Sequence, residues 1–281
     1  MPELPEVETV MRGIEPVLRG ARIGVAETHA PALRRPLSPA FAQILTGSVV
    51  TDLRRRAKYI LVDTDRGNSL LIHLGMSGKI TIRKGLEAPD RIKHDHVRWR
   101  FDLPDGGSNW VTFNDARRFG VCDLLETKDL ADHPMIKGLG PEPLDHAFTA
   151  DVLSDRLKGK NTPIKAALLD QSIVAGLGNI YVAEALFRAK ISPRRLARTV
   201  VGARAARLVP AIKEVLAAAI KSGGSTLRDY VRSDGGLGYF QHQFDVYDQA
   251  DKPCKRESCD GVVKRIVQSN RSTYYCPVCQ R

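Results

Sequence analysis

Four cysteines close to the end of the 281-residue chain constrain its fold more than any other feature. They follow the pattern Cys254-x4-Cys259-x16-Cys276-x2-Cys279. Two close pairs separated by about 15–20 residues are typical of a tetrahedral zinc ion held by four thiolates. Short apolar runs at 262–267 and 273–275 lie between the pairs, and Ser269-Asn270 fits a turn between them. The segment therefore predicts a zinc-ribbon hairpin whose single zinc is structural, because four thiolates leave no open coordination position.

The first cysteine pair departs from the commoner spacing, because four residues rather than two separate Cys254 from Cys259. Loop geometry tolerates the longer spacing, and His242 is the nearby alternative to Cys254 as a ligand. The fifth cysteine, Cys122, stands alone beside Val121, so we expect it to be a buried apolar residue. An odd number of cysteines grouped in this way argues against a disulfide scaffold.

The chain is strongly basic, with 43 lysines and arginines against 32 acidic residues and a net charge of +11. Residues 185–213 hold eight basic side chains and no acidic one, and residues 252–281 hold seven against two. One such run is ordinarily a solvated helix face. Two separate runs beside a zinc ribbon favour an anionic partner, with nucleic acid as the first candidate. No apolar stretch approaches the roughly 20 residues of a membrane span, so we expect no membrane partner.

Hydrophobic spacing predicts an α+β fold in several domains. Residues 5–18 carry apolar side chains at helical spacing, and Pro5 suits the first turn. Val97, Trp99 and Phe101 alternate with polar residues, as in a half-buried strand. The strands expected on this basis are 58–63, 70–74, 79–83, 97–102 and 110–113. Many short strands in succession predict an antiparallel barrel or, as we expect here, a β-sandwich with flanking helices.

A turn-rich stretch over 133–146 precedes a change to helical spacing. Thr149 is expected to cap a helix over 150–157, and Thr162-Pro163 to cap the next one with proline in its first position. Further helices are expected over about 180–189 and 199–221, followed by a mobile glycine-rich loop over 223–243. We therefore expect an N-terminal domain over 1–132, a linker over 133–148, a helical domain over 149–244 and the ribbon over 245–281.

The first residues, MPELPEVETV, run against the basic charge of the chain and offer a reacting group. Removal of Met1 would leave Pro2 with a free secondary amine. An α-amino group titrates near ~7.7–8.0, so a useful fraction is unprotonated at neutral pH. Such an amine forms an iminium with an aldehyde-level carbon, and Glu3 would lie beside it to donate or accept a proton. The ordinary alternative is that Pro2 and the acidic residues only begin a helix.

Eight sequence motifs occur in order before the cysteines. They are MPELPEVETV, RRRAKYI at 54–60, IHLGMSG at 72–78, KHDHV at 93–97, NDARRFG at 114–120, GLGPEPL at 138–144, GLGNIY at 176–181 and SDGGLGYF at 233–240. With these motifs and the ribbon, the chain resembles the formamidopyrimidine-DNA glycosylase family of bacterial base-excision enzymes for oxidised purines. The resemblance implies a helix–two-turn–helix element that binds DNA in the helical domain. The usual family spacing of the first cysteine pair is two residues, where this chain has four.

The resemblance implies a bifunctional glycosylase and abasic-site lyase acting on 8-oxoguanine and formamidopyrimidines in duplex DNA. Pro2 would attack the sugar C1′, and Glu3 would help to open the sugar ring. Lys58 would transfer protons, although a lysine in a basic strand is ordinarily solvated. Arg271, near the tip of the ribbon, would bind phosphate and assist the last step of β,δ-elimination. Glu6 and the loop Gly223–Tyr239 would lie on the side of the base pocket.

The resemblance also implies which residues contact DNA. The expected DNA contacts are His73, His94, Arg117, Lys160, Lys165 and Asn179. The side chains expected to fill the void left by the extracted base are Met76, Arg117 and Phe119. Apolar wedges suit that task because they replace lost stacking, although core packing is the ordinary role of a Met or a Phe.

Two other functions remain open from the residues alone. One is the related endonuclease VIII-like activity on oxidised pyrimidines, and the other is a non-catalytic zinc-ribbon protein that binds nucleic acid. We expect a monomer, because one chain already holds both DNA-binding modules and the reacting group. The resemblance implies that it acts in the bacterial cytoplasm at the nucleoid.

Overall fold

The computed structural model describes residues 1–225 and 239–281. The chain forms two compact units. The first comprises Met1–Lys137 and Gly223–Tyr239, and the second comprises Gly138–Ser222 and Phe240–Arg281. Most of the loop predicted to be mobile, residues 226–238, lies outside the described part of the chain.

The first unit begins with helix α1, Leu4–Leu18. Its apolar face buries Val7, Val10 and Ile14, as the helical spacing of the sequence predicts. Glu3 and Glu6 form a capping box in which each side chain accepts a hydrogen bond from the other residue's backbone N–H. Because a capping box satisfies two of the free N–H groups of a first turn, it fixes the place where the helix begins.

Two antiparallel four-stranded sheets follow. In chain order the strands are β1 (Arg22–Thr28), β2 (Val50–Arg56), β3 (Tyr59–Thr64), β4 (Asn68–His73), β5 (Lys79–Lys84), β6 (Asp95–Asp102), β7 (Ser108–Asn114) and β8 (Val121–Glu126), with a short helix α2 (Phe41–Leu45) after β1. The sheet orders are β1-β6-β7-β5 and β2-β3-β4-β8. Apolar side chains from both sheets, from α1 and from α2 form one core. The predicted β-sandwich with flanking helices is confirmed.

Strand β6 is buried on both faces, whereas its alternating sequence predicts a half-buried strand. Val97, Trp99 and Phe101 point into the core as predicted. On the other face, the guanidinium of Arg98 lies over the Trp110 ring, 4.8 Å from its centroid, and Nη2 donates to the Pro89 carbonyl at 2.7 Å. A cation can be buried there because the aromatic face and the carbonyl replace water.

The second unit begins with four helices: α3 (Ala150–Leu157), α4 (Ile164–Leu169), α5 (Asn179–Arg188) and α6 (Ala203–Lys221). Thr149 caps α3 as predicted, and its Oγ1 accepts a hydrogen bond from Val152 N at 3.3 Å. The predicted cap of α4 is wrong by one residue. Pro163 forms a β-bridge with Leu196 and is therefore extended, so the helix begins only at Ile164.

Helix α6 starts four residues later than predicted. A 3-10 turn occupies Ala197–Thr199, and Gly202 has a positive φ of 55°, which no helical residue adopts. In the described ranges, no helix is both long and apolar enough to cross a membrane.

The ribbon consists of β9 (Lys264–Gln268) and β10 (Arg271–Tyr275), joined by the predicted turn at Ser269 and Asn270. Both turn residues have positive φ, 48° and 58°, as a two-residue type I′ hairpin requires. Side chains of α5 and of the ribbon pack into one core. The helical segment and the ribbon thus share a core within one unit. The sequence predicts a domain boundary between them at residue 244.

Candidate active site

The first turn of α1 places the N-terminal residues in buried surroundings. Pro2 and Glu3 are buried, and Glu6 is only 2% exposed. Oε2 of Glu6 accepts a hydrogen bond from Glu3 N at 2.9 Å, whereas its Oε1 accepts from Ser225 N at 2.8 Å and from Ser225 Oγ at 3.0 Å. One carboxylate therefore holds both the backbone beside Pro2 and the start of the segment after α6.

Gly224 is required by this arrangement. Its φ is +79°, and a Cβ built on it would lie 3.1 Å from Oε1 of Glu6. A side chain here would be strained by the backbone conformation and crowded by the carboxylate. The loop expected over the flipped base begins at this point, but its residues 226–238 lie outside the described part of the chain.

Lys58 lies in the tight turn between β2 and β3. It is 6% exposed, so it is not a solvated lysine. The preceding Ala57 has a positive φ of 53° and is buried, which is a strained conformation for a residue with a Cβ. Arg55 Nη1 donates to the Ala57 carbonyl at 3.0 Å, and Arg55 Nε donates to Glu8 Oε2 at 2.7 Å. Arg55 therefore ties the turn that carries Lys58 to the first half of α1.

His73 ends strand β4, opposite Tyr59 on β3. Burial, followed by the nearby positive charges of Lys58 and Arg34, lowers the pKa of His73 from 6.5 to about 4. The imidazole is therefore neutral at pH 7. Its Nδ1 accepts a hydrogen bond from Gly75 N at 3.0 Å, so the proton is on Nε2. His73 can offer a phosphate one N–H donor, but no positive charge.

The three predicted void-filling residues lie on two loops, Leu74–Gly78 and Asp115–Gly120. Met76 is half-buried, whereas Phe119 is 45% exposed. The ordinary role of a phenylalanine, core packing, is therefore excluded for Phe119. The Arg117 guanidinium lies 4.9 Å from the Phe119 ring centroid. Gly75 lets the two loops touch, because a Cβ on it would lie 2.4 Å from the Phe119 carbonyl carbon.

Among the other predicted DNA contacts, His94 lies just before β6, is half-buried and has a positive φ of 74°. In the second unit, Lys160 is half-buried and Asn179 is the first residue of α5. Arg271 is exposed at the first position of β10, next to the hairpin turn. This position agrees with its predicted place near the tip of the ribbon.

Lys165, which the family resemblance assigns to a DNA contact, does not face solvent. It is 1% exposed, and its Nζ donates to the Ser272 carbonyl at 2.8 Å and to Thr273 Oγ1 at 2.7 Å. Asn179 Nδ2 donates to the same carbonyl at 3.0 Å. Both side chains thus hold the strand that begins with Arg271. The structure gives Lys165 a role in supporting β10, and its contact with DNA stays a prediction of the resemblance.

The four ribbon cysteines form the predicted metal site. All four Sγ atoms lie within 4.8 Å of one another. The Sγ–Sγ distances of 3.9 Å (Cys254–Cys279) and 3.6 Å (Cys259–Cys276) are close to the edge of about 3.8 Å expected for tetrahedral zinc with Zn–S bonds of about 2.3 Å. The thiolates therefore fit one structural zinc ion, and Cys254 belongs to the cluster.

Two features explain how the ribbon accommodates its four cysteines. The longer first spacing is taken up by a turn in which Cys259 N donates to the Arg256 carbonyl at 3.0 Å. Gly261 lets the backbone pass the metal site, since a Cβ there would lie 2.5 Å from Cys276 Sγ.

The fifth cysteine, Cys122, is 3% exposed in the sandwich core, and burial raises the pKa of its thiol well above the usual value. The prediction that Cys122 is a buried apolar residue is confirmed.

Sequence reasoning missed two residues that organise the first unit. Arg55 lies in a run of arginines, and nothing local indicates which of them turns inward. Ser225 lies near the start of the glycine-rich loop 223–243 and belongs to no motif of its own. The contacts of both residues join segments far apart in sequence, so no spacing pattern reveals them.

Three family models match the chain in order. They are described as the formamidopyrimidine-DNA glycosylase N-terminal domain, over residues 1–122, the formamidopyrimidine-DNA glycosylase H2TH domain, over 139–231, and the zinc finger found in FPG and IleRS, over 251–281. A curated relative from Ruegeria pomeroyi, a formamidopyrimidine-DNA glycosylase, is 54% identical with full coverage of both chains.

Solved structures are similar over the whole chain. Lactococcus lactis Fpg bound to DNA that contains N7-benzyl-Fapy-dG is 35% identical, with a TM-score of 0.86 and full coverage of both chains. The same protein bound to DNA that contains an oxidised pyrimidine gives the same identity, coverage and TM-score. With three matching domains and a relative that is more than half identical, the chain belongs to the formamidopyrimidine-DNA glycosylase family, whose members are DNA base-excision repair enzymes with glycosylase and abasic-site lyase activities.

Proposed function

We propose that this enzyme excises oxidised purines, 8-oxoguanine and formamidopyrimidines, from duplex DNA through Pro2 and then cleaves the strand by β,δ-elimination. The observation that carries the proposal is the buried start of α1, where Pro2 precedes the capping box that Glu3 forms with Glu6. Arg55 ties the turn with Lys58 to the same helix. An amine, a carboxyl group and a second amine are the groups that Schiff-base chemistry needs.

In the proposed reaction, the secondary amine of Pro2, freed by removal of Met1, attacks the sugar C1′. The bond from C1′ to the base breaks, and the base leaves with a proton. Glu3 protonates the ring oxygen as the sugar opens, which leaves an iminium between Pro2 and C1′. Lys58 transfers protons during the eliminations, in which the 3′ phosphate leaves first and the 5′ phosphate second.

Binding groups support the chemistry on both units. His73 offers a neutral N–H to a phosphate oxygen, while His94, Lys160, Asn179 and Arg271 provide further polar or cationic contacts. Phe119 and Met76 replace the stacking of the extracted base, and Arg117 donates to its orphaned partner. Glu6, with Ser225, borders the pocket for the base. Zinc supplies only the fold of the ribbon that presents Arg271.

The domains divide these tasks in the proposal. Residues 1–132 carry the chemistry, and 133–148 connect them to the helical region. Residues 149–244 bind the DNA backbone, and 245–281 form the zinc finger. The enzyme acts as a monomer on chromosomal DNA in the bacterial cytoplasm, at the nucleoid.

Oxidised pyrimidines are a second candidate substrate class. The observation that favours them is the solved complex of Lactococcus lactis Fpg with DNA that contains an oxidised pyrimidine. The two classes call for the same Pro2 chemistry and differ only in the base that enters the pocket.

A panel of 25-base-pair duplexes tests the proposal. The duplexes carry 8-oxoguanine, a formamidopyrimidine or 5-hydroxycytosine, and single-turnover strand cleavage is measured. We expect fastest cleavage at the two purine lesions and much slower cleavage by the Pro2→Gly variant, which replaces the secondary amine by a primary one. The matched control is the Pro5→Ala variant, which should retain cleavage. Pro5 belongs to the same segment, but its nitrogen is part of a peptide bond and is never a free amine. Preference for 5-hydroxycytosine would support the second candidate, and a protein that binds every duplex without cleaving any would contradict both.

A further inference from the structure

Asp115 follows strand β7 and is fully buried, with an exposed fraction of 0%. The next four residues, 116–119, are all exposed. A buried carboxylate beside an exposed loop is costly unless it is well supplied with donors. The hydrogen bonds of Asp115 therefore show which segments its carboxylate holds together.

The carboxylate of Asp115 joins the two loops that carry the proposed wedge. Oδ1 accepts from Ser77 Oγ at 2.6 Å and from Arg117 N at 3.2 Å. Oδ2 accepts from Gly120 N at 2.7 Å. Ser77 Oγ also accepts from Arg117 N at 3.2 Å. One carboxylate thus binds both ends of the segment with Arg117 and reaches across to the residue after Met76.

The backbone of Asp115 reaches a third segment. Its N–H donates to the His94 carbonyl at 3.1 Å. Its carbonyl accepts from His96 Nε2 at 2.9 Å, which places the proton of that imidazole on Nε2. Asp115 therefore touches each of the three segments that carry Met76, His94, Arg117 and Phe119.

Close backbone packing sets the spacing of these segments. A Cβ on Gly120 would lie 2.6 Å from the Phe113 ring and 3.0 Å from Asp115 Oδ2. Together with the contact between Gly75 and Phe119, this leaves little room for either loop to shift. The loops are held at fixed separation by packing, and in fixed orientation by the carboxylate.

We propose that Asp115 is a positioning residue that pre-organises the wedge entering the DNA stack. The inference rests on the proposed function, because it gives Met76, Arg117 and Phe119 their task. Extracting a base costs unstacking energy, and a wedge that is already ordered adds no further ordering cost at that moment. Hydrogen bonds to a carboxylate are among the stronger ones, so loss of the Asp115 carboxylate should loosen the orientation of both loops.

The test separates base extraction from chemistry. Asp115→Asn keeps the shape of the side chain, but replaces one acceptor oxygen by a donor. We expect it to slow excision of 8-oxoguanine from a duplex by about tenfold, the factor for losing one such hydrogen bond. Borohydride trapping on single-stranded abasic DNA, which has no base to extract, should be unchanged. Equal losses in both assays would overturn the positioning role.

A milder pair of variants guards against misfolding. Ser77→Ala removes the hydroxyl that joins Asp115 to the Met76 loop, whereas Ser69→Ala removes a hydroxyl that donates to Asp63 Oδ1 at the same 2.6 Å. Ser69 lies near the start of β4, whereas the loop with Met76 follows the end of that strand, and its hydroxyl also contacts Thr127. We expect Ser77→Ala to slow duplex excision severalfold and Ser69→Ala to leave it unchanged. Equal rates for the two variants would contradict the proposal.

A double-mutant cycle shows whether Ser77 acts through the wedge. If it does, Ser77→Ala should add no further loss in a Phe119→Ala background, whereas a merely structural role would give additive losses. If the wild-type protein cleaves no oxidised base, the proposed function itself is refuted. The wild-type assay is run before the variants, so this outcome is distinguished from a failure of the Asp115 proposal.

Discussion

At the scale of single residues, burial separates lysines that the sequence cannot distinguish. Lys58 and Lys165 are only 6% and 1% exposed, and lysine is seldom buried unless it is paired. Nothing in their neighbourhoods marks them apart from the exposed Lys158. The family resemblance singled out both, but it assigned Lys165 to DNA, whereas its ammonium supports the ribbon. Residue type is therefore a weaker guide than the partners that the fold supplies.

The neutral state of His73 leads to a prediction about acid stability. Its pKa is about 4 in the folded chain and 6.5 in the absence of burial, so the unfolded chain binds a proton more readily. The stability that the neutral, buried imidazole of His73 contributes to the free energy of unfolding is fully present above pH 6.5. It is lost as the pH falls towards 4, because the unfolded chain takes up the proton first. The contribution is on the order of 3 kcal/mol. Urea unfolding between pH 7 and 4 should therefore show a shallower loss of stability for His73→Asn than for the wild type.

The matched control for His73 is His146, whose side chain is 99% exposed. His146→Asn should keep the wild-type slope of unfolding free energy against pH. If His73→Asn also keeps that slope, the imidazole does not titrate as its burial requires.

At the scale of elements, the successful predictions come from segments whose apolar residues have a regular spacing. The helix over 5–18 and the strand that became β6 were predicted because each periodicity is continuous, and the helix begins one residue earlier in the structure, at Leu4. Strand β1 was missed because its register shifts at a bulge between Ile23 and Val25, which breaks the alternation. A Cβ on Gly24 at this bulge would lie 2.1 Å from Asp102 Oδ2, so a side chain there would require the Asp102 carboxylate to move. Strand β8 was missed because apolar residues lie side by side in its sequence, VCDLLE.

The support of β10 by Lys165 predicts how the ribbon responds to substitution. Lys165→Met keeps an unbranched, apolar side chain of similar length in the buried position, but it removes the ammonium that donates to Thr273 Oγ1. We expect the free energy of unfolding to fall by about 1–3 kcal/mol, the cost of a buried acceptor left without its partner. Release of zinc to a chelator should become faster. Thermal unfolding and a zinc-release assay measure the two effects.

Lys158→Met is the control for Lys165, because the same change is made at an exposed position beyond the end of α3. It should alter stability by no more than about 0.5 kcal/mol. If Lys165→Met behaves in the same way, the buried ammonium does not support the ribbon.

At the scale of the whole molecule, the net charge of +11 does not translate directly into DNA contacts. Several cations of the basic stretch 185–213 are bound within the chain. Arg188 pairs with Asp245 at 3.6 Å, and Arg198 donates to Asn161 at 2.7 Å. The sequence predicted the sandwich, the helices and the ribbon, because each has a local pattern. The shared core of ribbon and helices depends on long-range contacts, which no local pattern reveals.

The central claim, that Pro2 forms the covalent intermediate, is tested most directly by mapping the trapped adduct. Borohydride reduces an iminium to a stable amine, so the protein is mixed with an 8-oxoguanine duplex, reduced, digested and analysed by mass spectrometry. The account predicts that the sugar remnant is attached to an N-terminal peptide that lacks Met1 and begins with Pro2. An adduct on a peptide containing Lys58, or on any other lysine, would contradict it.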